Sequence, residues 1–411
     1  MTYISLLKVY RKSGSNLEVL NEAYEHIFMA PYTRQLNFSI KQQGRNNIWQ
    51  VFYCYTEEML GLITSIFKHT LDLKLTKTRL TKIGLKSFAF SNMVEEIMAT
   101  NMIEGVNSSR KDISLAMDKQ KNKKSRDIRF WYVVNKYKRI TKQENIAFNT
   151  PSDIRRFYDE FILTEVIKED PNNAPDGKIF RKDAVSVGNG HIGQETHIGV
   201  YPEDKIIVAM EEALDILHNA KLNNLIRIAV FHYLFAYIHP FYDGNGRVDR
   251  FISSYYLSKE LDELIGLKLS FTIKNNVKSY YKLFQTTNDD FNRGDLTPFI
   301  LGFLKLIEED ARIQKENLEE SCCMLEKGYE HIKTTYGGDE LLCTICFILL
   351  QSTLFSVNGV TFNDILQTCR KSRNTIQDRL REIPMEMLEV RKEGKEKRYK
   401  LAKQVVEEWI N

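Results

Sequence analysis

"HPFYDGNGRVDR", His239 to Arg250, holds one histidine, two aspartates, two glycines, an asparagine and two arginines directly behind an apolar segment. Packing needs none of these residue types in such density, whereas handling a polyphosphate needs most of them. Upstream, "NNLIRIAVFHYLFAYI" is apolar almost all round, as expected of a helix through the middle of a domain. Pro240 disfavours helical backbone at His239, so the buried helix ends there and delivers the histidine into a loop. Helical periodicity resumes at "GRVDRFISSYYLSKEL". Two helices joined through a polar loop predict a helical core built around the motif.

Suppose the stretch from Asp243 to Gly246 leads into the second helix. A helix N-terminus offers unpaired backbone N–H groups and partial positive charge, so it attracts anions. Gly244 and Gly246 let the backbone approach a phosphate, and Asn245 adds side-chain donors. Arg247 and Arg250, three apart, share one helical face and can reach one polyphosphate. Asp243 suits Mg²⁺, which prefers a carboxylate with phosphate oxygens and water. His239 is placed as a base near neutral pH. The loop is neither a P-loop nor a dinucleotide fingerprint, both of which need other glycine spacings. A metal pair of His239 and Asp243 alone would leave both arginines unexplained.

Outward from the motif, most of the chain reads as helix. "TEEMLGLITSIFKHTLDL" and "MVEEIMATNMIEG" carry three- and four-residue apolar spacing, and "TPSDIRRFYDEFILTEVI" opens on a helix-start signature. "SFTIKNNVKSYYKLFQTTN" predicts one helix and "TPFILGFLKLIEEDARIQKENLEE" another. "LNFSI" and "WQVFYCY" alternate around "KQQGRNN" and predict a hairpin. "GKIFRKDAVSVGNGHIGQETHIGVYP" is rich in glycine and β-formers and predicts a hairpin flap. At the tail, "TFNDILQTC" and "SRNTIQDRLREI" predict two short helices, and "MLEVRKEGKEKRYKLA" two strands, the pattern of a winged helix.

The motif resembles that of the Fic family: HPF, two residues, GNGR, two residues, R, with every fixed position filled. The resemblance extends over roughly residues 93–304. It implies transfer of AMP from ATP to a protein hydroxyl with release of pyrophosphate. It further implies that His239 is the general base, that Asp243 holds Mg²⁺, and that Gly244, Asn245 and Gly246 bind the α-phosphate. Arg247 would then hold the β-phosphate and Arg250 the γ-phosphate. Tyr280 and Asn288 match positions near the nucleoside, and Thr196, His197 and Ile198 match the flap that lines the nucleotide and pairs with the target backbone.

"TNMIEG", Thr100 to Gly105, resembles that family's inhibitory motif. An acidic residue at a helix C-terminus opposes the dipole and calls for a cationic partner. The resemblance pairs Glu104 with Arg250, which would deny the γ-phosphate its cation.

The expected architecture is mainly α: an N-terminal domain (1–92), a helical core (93–310) with inhibitory helix (93–105), flap (180–202) and motif (239–250), and a linker helix with a winged-helix domain (311–411). At 411 residues, 43% apolar and 27% charged, the chain has globular composition. Six cysteines, two of them adjacent, do not make a disulfide framework, and no apolar run suits a membrane span or secretory signal, so a reducing cytoplasm is the expected location. "CTIC" and His232 read as core residues rather than metal ligands. Net charge is +4, with twelve Lys/Arg against three Asp/Glu over 110–142 and twelve against six over 370–403. Arg370, Lys371, Arg373, Arg379, Arg391, Lys392, Lys395, Lys397 and Arg398 suit phosphate contacts, so DNA is an expected partner of the tail. The other expected partners are ATP, a target protein bound through the flap, and a second copy of the chain; a membrane is not one. Two alternatives stand beside AMP transfer: AMP removal at the same site, and a DNA-binding regulator that senses nucleotide.

Overall fold

The computed structural model describes residues 3–41, 45–118, 128–189, 194–355, 359–393 and 396–410. Among them the protein is mainly α, with three small antiparallel sheets. Helices α1 (Leu6–Lys12) and α2 (Leu17–Phe28) precede a hairpin of β1 (Thr33–Ile40) and β2 (Trp49–Cys54), in which Thr33 faces Cys54. The alternation read in "LNFSI" buries Leu36, Phe38 and Ile40 on one face. Then come α3 (Glu57–Lys77), α4 (Lys82–Ile103), α5 (Arg110–Asp118), α6 (Trp131–Thr141) and α7 (Pro151–Tyr158). A π-turn, Asp159–Leu163, joins α7 to α8 (Thr164–Glu169). The flap pairs β3 (Ser186–Asn189) with β4 (Gln194–Ile198). Residues 190–193 of the predicted flap lie outside the described residues, as do the side chains of 188–196.

Next are α9 (Glu203–Leu217), α10 (Asn224–Ile238), α11 (Asn245–Glu260), α12 (Glu263–Gly266), α13 (Leu269–Asn275), α14 (Val277–Asn288) and the long α15 (Thr297–Tyr336). Helix α10 is buried from Leu225 to Phe235 save Arg227, which makes it the central core helix its composition predicts. The stretch expected as one helix over "SFTIKNNVKSYYKLFQTTN" is broken at Asn276. There the side-chain amide donates to the Thr272 carbonyl at 3.1 Å and to Glu309 at 3.2 Å, competing with helical bonding.

The chain divides into two compact units, Met1–Lys68 with Val94–Ala311, and His69–Met93 with Arg312–Asn411. The boundary expected after residue 92 is thus replaced: residues up to 68 pack with the motif-bearing core. Long-range contacts explain this. The ring of Tyr10 stacks on Phe291 at 4.0 Å, Trp49 Nε1 donates to Asp290 at 2.8 Å, and Tyr237 Oη accepts from the Lys41 N–H at 2.7 Å. Strand β2 also exchanges backbone bonds with Gly294 and Leu296 through Phe52.

In the second unit, α16 (Glu340–Phe355) is followed by β5 (Val360–Thr361), α17 (Phe362–Cys369), α18 (Arg373–Glu382), β6 (Leu388–Glu393), β7 (Glu396–Leu401) and α19 (Lys403–Ile410). The sheet order is β5-β7-β6. Thr361 with Asp364 forms a capping box on α17, and Ser372 caps α18, so each short helix has its start fixed locally. Lys395 lies outside the described residues. All six cysteines are unbridged, and Cys343 and Cys346 sit on α16. Among the described residues no helix is long and apolar enough to cross a membrane, and no cluster of three or more His, Cys, Asp or Glu side chains could hold a metal ion.

Candidate active site

Helix α10 stops at Ile238, and His239 caps it in the left-handed region at φ 52°. The turn is pinned by Arg181, a fully buried residue that the sequence reading did not single out. Its Nε donates to the His239 carbonyl at 2.8 Å, its Nη2 to the Val200 carbonyl at 2.9 Å, and its Nη1 to the Asp183 carbonyl. One guanidinium therefore ties the base of the flap to the histidine. Gly199 makes room for it, since a Cβ there would lie 3.0 Å from His239 Cβ and 2.5 Å from Arg181 Nη2. Burial lowers the His239 pKa to about 3, helped by the neighbouring charges of His197 and Arg181. The imidazole is therefore neutral at physiological pH, the state a base requires.

Phe241 stacks on Tyr158 with ring centroids 3.7 Å apart, anchoring the loop. Asn245 is tied to its own loop. Its Oδ1 accepts from the Phe241 N–H at 2.9 Å and its Nδ2 donates one N–H to the Phe241 carbonyl at 2.8 Å, so the side chain clamps the loop with its second N–H to spare. Helix α11 begins at this residue, behind Gly244 at φ 80°, and a Cβ on Gly244 would press on Ile162 in the π-turn at 3.3 Å. The open N–H groups of the first turn remain for an anion.

Asp243 Oδ1 accepts from the Gly244 N–H at 2.6 Å, and its Oδ2 lies 3.5 Å from Arg247 Nη2. One part-exposed carboxylate fits Mg²⁺, whose remaining ligands would be phosphate oxygens and water. Arg247 is 1% exposed, and its Nε and Nη1 make no hydrogen bond among the described residues. Such a group calls for an acceptor oxygen. Glu165, also unforeseen, stands 3.8 Å from Arg247 Nη1; burial raises its pKa to about 7 while Arg247 pulls it down.

Arg250 is equally buried and held through its Nε and Nη2. Its Nε donates to Thr100 Oγ1 at 2.9 Å, and its Nη2 to the Thr100 carbonyl at 3.2 Å and to Glu104 Oε1 at 2.7 Å. Burial pulls the Arg250 pKa down, but the Glu104 charge outweighs it and the net shift is upward. Glu104 follows the end of α4, where Gly105 at φ 73° and the Val106 N–H to Asn101 carbonyl bond (2.9 Å) form a Schellman stop. The same carboxylate lies against Gly246, where an added Cβ would collide with Oε1. It thus sits at the N-terminus of α11, in an anion's place.

His239, Gly246, Arg250 and Glu104 wall one cavity of about 120 Å³ together with Tyr280, Asn288, His197 and Val187. That is well below the roughly 300 Å³ at which ligand pockets begin. Tyr280 Oη bonds His232 Nε2 at 2.7 Å, and His232 Nδ1 faces Ser253 Oγ at 2.8 Å and Asp249 Oδ1 at 3.2 Å. His232 is the satisfied core histidine its sequence context predicts. Asn288 Oδ1 accepts from Tyr233 Oη at 2.7 Å. His197 stacks on Tyr237 at 5.1 Å and its Nε2 donates to the Tyr237 carbonyl at 2.8 Å; burial lowers its pKa to about 4. Ile198 pairs with Ser186 in the flap and is not part of the cavity wall; the side chain of Thr196 lies outside the described residues. Asn245 also lines the wall, and Val187, Ala236, Asp249, Tyr281 and Phe284 complete it without having been singled out in the sequence, which carried no spacing signal for them.

Residues 147–257 match the Fic/DOC family, so a Fic domain lies within the chain. "Protein adenylyltransferase Fic" of Drosophila virilis is 29% identical over 127 residues, 30% of this chain and 23% of that protein. The Drosophila melanogaster protein of the same name matches to the same extent. The chain thus spans under a quarter of the length of these curated relatives. A solved Fic family protein from Desulfovibrio desulfuricans G20 shares the fold, with a TM-score of 0.53 at 19% identity, covering 86% of this chain and 98% of that one.

Proposed function

We propose that the Fic domain at residues 147–257 makes this chain a protein adenylyltransferase, held down by Glu104. One observation carries the reading: a neutral histidine, an open helix N-terminus and a buried arginine converge on one cavity. His239 takes the proton of a Ser, Thr or Tyr hydroxyl as the oxygen attacks the α-phosphorus. A new O–P bond forms, the Pα–O–Pβ bond breaks, and pyrophosphate leaves. The N–H groups at the start of α11 hold the α-phosphate, Arg247 the β-phosphate, and Arg250 the γ-phosphate once Glu104 releases it. Asp243 would hold Mg²⁺, which would supply neutralisation of phosphate charge. The flap would align the target backbone. His197, Tyr280 and Asn288 border the nucleoside, with Asn245 acting through the loop it clamps. Removal of AMP by a water that Glu104 orients is the second reading, favoured by the carboxylate's position in the same cavity.

Incubation of the protein with α-labelled or γ-labelled ATP and a cell lysate tests this. Label should reach protein bands from the α position only. Label from the γ position, or from neither in wild type and in Glu104→Gly, rejects AMP transfer.

The second unit is proposed as a winged helix that contacts DNA through Arg370, Lys371 and the β6–β7 hairpin. Arg379 is a poorer candidate than its sequence suggests, and Arg381 is no better placed. Arg379 Nε is 2.8 Å from Asp339 and its Nη1 2.5 Å from Glu382, while Arg381 pairs with Asp378 at 3.2 Å. Duplex binding should therefore weaken steeply with salt and fall at least severalfold in Arg370→Ala/Lys371→Ala, but little in Arg381→Ala. No binding at low salt in an electrophoretic shift assay overturns the DNA role.

A further inference from the structure

Helix α4 has two working faces over its last turns. Thr100 and Glu104 face Arg250. Met98, Ala99, Met102 and Gly105 line a separate cavity of about 340 Å³. At 100° per residue, Met98 and Met102 lie roughly opposite Thr100 and Glu104, so one helix end is shared between the phosphate cradle and this cavity. Phe271 and Lys274 of α13 and Arg110 of α5 form its other walls. Its size falls in the range of roughly 300–1,000 Å³ for small-molecule sites.

The lining has a definite chemistry. Met98, Ala99, Met102, Val106 and Phe271 supply apolar surface, and Met102 is 63% exposed. Lys274 stands 4.7 Å over the Phe271 ring, and Lys268 3.8 Å over the same ring. Glu95, the one carboxylate in the wall, is neutralised by Arg110 at 2.8 Å and by Lys268. The rim is therefore cationic beside an apolar floor.

We propose that this cavity is a regulatory site for a small amphipathic anion, an aliphatic or aromatic carboxylate whose body rests on Met102 and Phe271 and whose charge meets Lys274 and Arg110. The cavity shares its helix end with the contact between Glu104 and Arg250, so a ligand that binds better with that end held than with it free tightens the brake. Linkage requires the converse: freeing the helix end weakens ligand binding. The regulatory part rests on the adenylyltransferase reading, whereas the coupling does not, because it is measurable by binding alone.

Calorimetry of the full chain with decanoate, kept below its micelle concentration, tests both. Wild type should bind with a dissociation constant in the micromolar range. Lys274→Glu and Met102→Glu, two substitutions at solvent-reachable positions, should each weaken binding by tenfold or more. Glu104→Gly, which does not touch the cavity, should weaken it severalfold. In the labelling assay, saturating decanoate should lower AMP transfer by wild type severalfold and leave Lys274→Glu unaffected. Equal affinity in wild type and both cavity variants, or no heat at all, removes the site. Unchanged affinity in Glu104→Gly removes the coupling. Should AMP transfer be absent throughout while the three affinity changes hold, the proposed reaction fails and the coupled site stands.

Discussion

Glu104→Gly should raise AMP transfer, including self-modification, by one to two decades. The 2.7 Å bond from Arg250 to Glu104 is charge-assisted, and the Arg250 side chain is only 2% exposed, so solvent screens it little. Such a bond is worth ~1.5–3 kcal/mol, and ~1.4 kcal/mol corresponds to tenfold in rate. The carboxylate also holds the anion position beside Gly246, so its loss removes a repulsion as well as a competitor. Thr100 still holds Arg250 through two hydrogen bonds in the variant, leaving the guanidinium aimed at the γ-phosphate. Arg250→Ala should not activate, and the double variant should behave as Arg250→Ala alone, the non-additivity of residues acting through one contact. Initial rates with labelled ATP decide the matter: transfer at the wild-type level in Glu104→Gly on every substrate would falsify the brake. If Glu104 instead serves AMP removal, the same variant should no longer release AMP from a pre-modified substrate.

His239→Ala should cost ~10²–10⁴ in transfer rate, the usual contribution of a positioned base, while Mg²⁺-ATP affinity stays within severalfold. Its pH profile carries a sign. The folded-state pKa is pushed down to about 3, below the ordinary 6.5, so acid protonates the unfolded chain first. The neutral base persists as pH falls through 6.5, and transfer should show no acid limb there. The same shift removes folding stability as pH drops from about 6.5 towards 3, at ~1.4 kcal/mol per pH unit for this group. Single-turnover rates between pH 8 and 5 on Glu104→Gly provide the check. An acid limb centred near 6.5 means that the imidazole is not shielded as the structure has it.

The loop from His239 to Arg250 was legible because its chemistry is local. His239, Asp243, the two glycines and both arginines lie within twelve residues, and helix periodicity on either side dictates a helix end, a turn and a helix start. Thr100 and Glu104 were legible through a short pattern and an unfavourable charge at a helix C-terminus, which demands a cation from elsewhere in the fold. The buried α10 and the β1–β2 hairpin followed from apolar runs and alternation.

Tertiary structure decided the rest. Arg181 and Glu165 look like ordinary surface charges in sequence; burial gives the first its grip on the His239 carbonyl and lifts the second's pKa. Asn245 reads as a phosphate donor because its type allows it; the fold adds a clamp on the Phe241 backbone, which takes its Oδ1 and one of its two N–H groups. Arg379 reads as a phosphate contact until Glu382 on its own helix and Asp339 pair with it. The N-terminal segment reads as a domain of its own, yet Tyr10, Trp49 and Lys41 bind residues some two hundred or more positions away. Local spacing fixes which backbone shapes and side-chain chemistries are present. Which charges lose their water, and which partners meet them there, depends on contacts between distant segments, and no single stretch of sequence contains those.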